Sequence, residues 1–145
     1  MKILITLLTM FSLFYAAQID EFASEVGYLR DYNTAIKTAK EQNKMVMVVV
    51  VGDYCPWCKK FERKTLKSSE VKAQVNKEFV AVVIDKYKDK GNYPKEFYAP
   101  LIPAVYFVDP SNGKSLLETV AYMKKAEYLE NMDDALSIFT QEGNK

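Results

Sequence analysis

The chain contains no histidine. That absence removes the commonest general base and the commonest metal ligand together, so proton transfer falls to carboxylates, thiols or water. Cysteine is nearly as scarce, with Cys55 and Cys58 the only two in 145 residues. A zinc site built on them would need its remaining ligands from carboxylates or a second chain. Charge of one sign is lacking as well. Twenty basic against nineteen acidic residues leave +1, which gives no global attraction for nucleic acid or an anionic membrane. Repeats and low-complexity tracts are absent, and 49% hydrophobic with 27% charged residues is the balance of one globular domain with its own core.

Only one apolar run is long. Ile3 to Phe14 supplies twelve largely apolar residues behind Lys2, followed by Tyr15-Ala16-Ala17. This is the order of an export signal, too short to span a hydrocarbon core as an anchor. The expectation is a signal peptide over 1–17, cleaved near Ala16 to Gln18, and a single domain over 18–145. No cysteine stands just after the run, which argues against a lipoprotein.

What is present is most concentrated at Cys55-Pro56-Trp57-Cys58, just beyond the uninterrupted apolar run Met45 to Val51. A buried strand that turns and opens a helix with a Cys-x-x-Cys pair places both sulfurs at a helix N-terminus. There the dipole and free N–H groups favour thiolate, the reactive form in disulfide exchange. A merely structural disulfide is the plainer alternative, but so small a loop constrains the unfolded chain little.

The rest of the pattern gives the frame. Asp31 is a plausible N-cap for a helix ending at Asn43-Lys44; a second helix runs from Pro56 to about Leu66, and Ser68 or Ser69 caps a third. Phe79 to Ile84 reads as the next strand, which completes a βαβ unit with a parallel, right-handed crossover. Lys86 to Pro94 is a polar loop, with one helical turn expected over 94–98; Tyr87, Tyr93, Phe97 and Tyr98 are expected to pack it, with a substrate platform as the alternative. Ala104 to Val108 and Ser115 to Val120 flank Asp109-Pro110-Ser111-Asn112-Gly113, a turn signal that predicts an antiparallel hairpin. A closing helix is expected from about Lys125 to Gln141.

Two motifs in this order resemble the thioredoxin superfamily: Gly52 to Lys59 around the cysteines, and Ile102-Pro103 before the third strand. The resemblance covers roughly residues 28–141. It implies an α/β thioredoxin fold, βαβ plus ββα around a four-stranded mixed sheet, with an extra N-terminal helix. Within the superfamily, Cys58-Lys59-Lys60-Phe61-Glu62, Ser69-Glu70-Val71 and the stretch from Asn33 to Lys44 are similar to exported proteins related to the C-terminal domain of DsbD.

The resemblance also assigns roles. Cys55 is the attacking thiolate and Cys58 the resolving thiol; Pro103 is cis, and Ile102 pairs through its backbone with substrate. Tyr54, Pro56 and Trp57 complete the substrate-facing set. Where thioredoxins carry a buried aspartate, six residues before the first cysteine, this chain has Val49. Glu62, four residues after Cys58, is the candidate replacement for acid–base work; a solvated position on its helix is the alternative, with water carrying the proton. No metal or organic cofactor is implied. Lys59, Lys60, Arg63, Lys64 and Lys67 make this helix basic, a wet face or a means of steering an acidic partner.

Trp57 stands where strong oxidants of this kind place a histidine, and no glutathione-binding Gly-Gly follows the second motif. The expected function is therefore reduction of protein disulfides outside the cytoplasm, in the periplasm, by a monomer recharged by a DsbD-type membrane donor. Disulfide oxidation or isomerisation is the runner-up. A peptide-binding module with an incidental disulfide is the reading from another class.

Overall fold

The computed structural model describes residues 18–143. The signal segment expected over 1–17 lies outside the described residues. No described helix is long and apolar enough to cross a membrane.

The strands β1 (Met45–Val51), β2 (Phe79–Asp85), β3 (Ala104–Val108) and β4 (Ser115–Val120) form one sheet in the order β2-β1-β3-β4. β1 pairs in parallel with β2 and antiparallel with β3, and β3 pairs antiparallel with β4, with a register shift at Phe107/Val108. Every residue of β1 is buried. A valine-rich strand without alternation does this only when both sheet faces are covered, and each fully buried valine contributes about 1.5–3 kcal/mol. β1 is thus the rigid spine that ends at the cysteines.

The two faces have different cover. Met45, Met47, Val49 and Val51 meet α1 (Gln18–Val26), α3 (Pro56–Phe61, continued by a π-helical turn over Glu62–Leu66), α4 (Ser69–Glu78) and α5 (Lys125–Gly143). Val46, Val48 and Val50 meet α2 (Tyr32–Gln42) and the buried Tyr93, Phe97 and Ala99 of the long loop. Cys58 belongs to the first of these clusters, so one sulfur of the pair is part of the core.

Local chemistry sets the ends. The Asp31 carboxylate accepts from the Thr34 amide at 2.7 Å, and Asn43 closes α2 in the left-handed conformation, φ 53°. Asp109 accepts from the Ser111 amide with its side chain and from the Gly113 amide with its carbonyl, folding the β3–β4 turn around Gly113, φ 74°. Ser68 precedes α4 without capping it; its hydroxyl turns back to the Thr65 carbonyl at 2.7 Å.

Three features were not expected. α1 buries Ile19, Phe22, Ala23 and Val26 against the core. Leu29 forms a single parallel bridge to Val82, which covers part of the open edge of β2. The helix expected to run evenly to Leu66 widens after Phe61 into its π turn.

Candidate active site

β1 stops at Val51, and Gly52 to Tyr54 carry the chain over the top of the sheet. Cys55 then caps α3: its backbone is extended, φ −115°, and its sulfur accepts from the Cys58 amide at 3.1 Å. Pro56 occupies the first turn, where no N–H is required. Cys55 and Cys58 are joined in a disulfide with Cα atoms 5.2 Å apart. Their exposures differ: Cys58 is 0% exposed, while Cys55 is only half-buried. A reagent from solution meets Cys55.

The second motif faces the first. The Ile102–Pro103 peptide is cis, and the Ile102 carbonyl oxygen lies 3.8 Å from Cys55 Sγ. Pro103 is buried, and its carbonyl accepts from the Ala121 amide at 2.8 Å. Ala121 takes a left-handed φ of 71°, which costs a non-glycine residue roughly 1–2 kcal/mol. The next residue, Tyr122, lies against Trp57 with ring centroids 5.9 Å apart. Lys60 Nζ sits 4.8 Å from the Trp57 ring and 4.7 Å from Tyr122. Lys60 is thus held by aromatic faces, unlike the freely solvated lysine that a wet helix face implies. Tyr54 is fully exposed, Trp57 is 57% exposed and Pro56 is exposed, so the three residues expected to face substrate stand open to solvent around Cys55 in the chain.

Glu62 is not on a solvated face. It is 5% exposed, with Oε2 accepting from Lys59 Nζ at 3.3 Å and Oε1 buried without a partner. Burial raises its carboxyl above the usual range, against the opposing pull of Lys59 and Lys67; the charge of Asp53 raises it further. Its backbone N–H bonds to the Cys58 carbonyl, which places it one turn along the helix from the deep sulfur. Val49 is fully buried among apolar neighbours and supplies no proton acceptor.

The opposite wall of the site was missed by sequence reasoning. Asp85, the last residue of β2, accepts from the amides of Tyr87 at 2.8 Å and Lys88 at 3.0 Å, folding the chain back toward the cysteines. Arg30 Nη1 holds the Val83 carbonyl and, at 2.9 Å, Asp89, while its Nε reaches Asp20 of α1 at 2.6 Å. Tyr87, expected to pack the loop with the other aromatics, is instead 68% exposed. With Asp53, Tyr54, Lys88 and Ile102 it lines a cleft of about 530 Å³ beside Cys55. Lys88 Nζ pairs with Asp53 Oδ2 across it, and Asp53 Oδ1 is buried without a partner. An aspartate ending a strand before a polar loop was the available signal for this turn.

Comparison with known proteins agrees with this geometry. The chain is 30% identical over 108 residues to the thiol:disulfide interchange protein DsbD of Colwellia psychrerythraea, covering 72% of this chain but 18% of that one. The chain therefore spans less than a fifth of this curated relative. Among solved structures it is similar to a thioredoxin from Thermus thermophilus, at TM-score 0.68 and 19% identity, over 80% of this chain and 92% of that one. It is also similar to the oxidised C-terminal domain of Neisseria meningitidis DsbD, at TM-score 0.59 and 23% identity, over 74% of this chain and 98% of that one. The family model described as thioredoxin-like matches residues 28–110, which span β1, both cysteines, Glu62 and Pro103. With the fold, the disulfide and this match in agreement, the chain belongs to the thioredoxin-like family.

Proposed function

We propose that this chain is a protein-disulfide reductase acting outside the cytoplasm, in the periplasm, as a single monomeric domain over 18–145 freed from a signal peptide. The observation that carries the reading is the asymmetry of the pair: a half-exposed Cys55 whose sulfur accepts a backbone N–H, joined to a Cys58 with no exposure. That asymmetry separates an attacking sulfur from a resolving one.

The cycle starts with the pair reduced by a donor dithiol of the DsbD type. The Cys55 thiolate, stabilised by the Cys58 amide and the start of α3, attacks one sulfur of a substrate disulfide. A Cys55–substrate bond forms, the substrate S–S bond breaks, and the electron pair leaves on the second substrate sulfur, which takes a proton from water. Cys58 then gives its proton to Glu62 and attacks Cys55 Sγ. The Cys55–Cys58 disulfide closes, and the first substrate sulfur departs as a thiolate. Two electrons have moved from the pair to the substrate.

Ile102 offers its backbone to an extended substrate segment beside Cys55, with Pro103 fixing the loop. Tyr54, Pro56 and Trp57 form the apolar rim, which suits recognition of shape over sequence. The similarity to DsbD and the absence of a histidine between the cysteines both support the reducing direction.

Equilibration of the Cys55–Cys58 pair against a glutathione or dithiothreitol couple tests this directly. A potential toward the thioredoxin end, about −270 mV, is expected; one near the strongly oxidising end, about −120 mV, assigns the chain to disulfide formation instead.

A further inference from the structure

Several lysines on the elements around the disulfide already have a carboxylate: Lys59 pairs with Glu62, Lys67 with Glu25, Lys88 with Asp53 and Lys125 with Glu70. Lys60 forms no ion pair among the described residues. Its ammonium is held by rings instead, 4.8 Å from the centroid of Trp57 and 4.7 Å from that of Tyr122. A ring face attracts a cation without cancelling its charge, so Lys60 keeps a full positive charge to offer. Arg63 and Lys64 on the next turn are unpaired too, but they are exposed, whereas Lys60 is half-buried and fixed.

The clamp is tied to both motifs of the site. Trp57 lies between the two cysteines and carries Tyr122 against it at 5.9 Å between centroids. The amide of Ala121, just before Tyr122, donates to the Pro103 carbonyl at 2.8 Å, and the neighbouring Ile102 carbonyl stands 3.8 Å from Cys55 Sγ. Ala121 does this at a left-handed φ of 71°, a conformation that a non-glycine residue keeps only where its surroundings impose it, as at active sites and ligand clamps. A long lysine side chain ordinarily loses rotamer freedom when a ligand arrives. Here the rings have restricted it beforehand. Charge then selects the ligand: in the cleft Asp53 offsets Lys88, while at Trp57 no described carboxylate offsets Lys60.

We infer that Lys60 is a specificity residue that selects substrate segments carrying a carboxylate side chain close to the disulfide that Cys55 attacks. This rests on the reading of Cys55 as the attacking sulfur, and it adds a preference of charge to the recognition of shape. Lys60 lies five residues after Cys55 on α3, an axial rise of about 7.5 Å. Helical side chains tilt toward the N-terminus, which brings the ammonium back over Trp57. An extended substrate covers that distance in two or three residues at about 3.3 Å each, so a Glu or Asp at that remove from the substrate cysteine meets the cation. The carboxylate displaces water from the ammonium and forms a charge-assisted pair against an aromatic wall. A lysine at the same place is repelled. The bonds made and broken at sulfur are unchanged.

Short peptides with one cysteine flanked by Glu, Gln or Lys, each blocked as a mixed disulfide with thionitrobenzoate, share one leaving group and differ in charge. Mixed with the reduced, full-length protein, they report attack by Cys55 as thionitrobenzoate is released, each rate being divided by that with dithiothreitol. The Glu peptide is expected to react about threefold to tenfold faster than the Gln peptide, the Lys peptide slower, and the spread to shrink in about 1 M salt. Lys60→Met keeps an apolar stem on both rings and should lower the Glu-to-Gln ratio by about threefold to fivefold, while Lys60→Arg keeps it. Lys64→Met removes an exposed cation that no ring holds, and should change the ratio by less than about 1.5-fold. Equal falls in Lys60→Met and Lys64→Met would assign the preference to net charge and overturn Lys60 as its source. So would a ratio near one in the wild type, or equal slowing of all three peptides by Lys60→Met. Ellman's reagent itself releases thionitrobenzoate from the reduced protein in two phases, the first from attack by Cys55 and the second from resolution by Cys58. A first phase that survives in Cys55→Ser removes the attacking sulfur, a failure of the underlying reading that is visible separately.

Discussion

The amide of Cys58 donates to Cys55 Sγ across 3.1 Å, so the residue proposed to resolve the mixed disulfide also stabilises the sulfur proposed to start it. In the reduced protein the same N–H favours the Cys55 thiolate, as the start of a helix does, while Cys58 faces the core. Iodoacetamide near neutral pH should therefore label Cys55 first. Cys58→Ser should accumulate mixed disulfides with substrate, and Cys55→Ser should accumulate few; peptide mapping that finds Cys58 modified first reverses the two roles.

Glu62→Gln should slow resolution on the order of a hundredfold. It also has a signature in stability. Burial raises the Glu62 carboxyl, so the folded protein holds this proton more tightly than the unfolded chain does. The resulting stabilisation is full below the unfolded value of about 4.3 and is lost as pH rises through the folded value. The urea midpoint of Glu62→Gln should therefore gain on that of the wild type as pH rises from about 4. A difference that does not vary with pH contradicts the buried, raised carboxyl.

A Cβ at Gly52 would stand 3.0 Å from Ile102 Cδ1 and 3.4 Å from Tyr87 Cε2. Both are ends of side chains, so Gly52→Ala should fold with little loss of stability while shifting Ile102 by a few tenths of an ångström. Small misplacements of positioning groups cost rate most where an extended partner must be aligned. We expect kcat/KM for a protein disulfide to fall by about threefold to tenfold, and the first phase with Ellman's reagent to fall less than twofold. Equal losses with both would place the disturbance at the sulfur itself.

Much of this architecture is legible in the sequence because its signals are local. Asp31 and Asn43 bracket α2 through their own capping chemistry, the apolar run of β1 has no alternation to misread, and Asp109 to Gly113 specify a turn by residue type. The cysteines and Pro103 announce themselves by motif. What escaped notice is held together by distant partners. α1 is fixed by apolar contacts and by the Asp20–Arg30 pair; the cleft wall depends on Asp85 and Asp89 folding a polar loop back toward the cysteines; Lys88 meets Asp53 across 35 positions of chain. Glu62 was found by helical spacing, but its burial depends on packing that spacing does not describe. The π turn at Glu62–Leu66 carries no composition signal, and its Thr65 hydroxyl is tied to Met123 at 2.6 Å, far along the chain.

The packing of α1 and α5 around Cys58 also sets where the polypeptide can be cut. The most recognisable stretch ends in the β3–β4 turn, yet Tyr128, Met132 and Ala135 of α5, all fully buried, share the apolar cluster that encloses Cys58. Tyr128 packs edge-on against Phe61, one turn from Cys58, at 5.1 Å between centroids. A fragment trimmed to the familiar motifs would keep both cysteines and lose the lid that keeps one of them dry. Its two thiols would then be solvated alike, and a directional catalyst would become an ordinary dithiol.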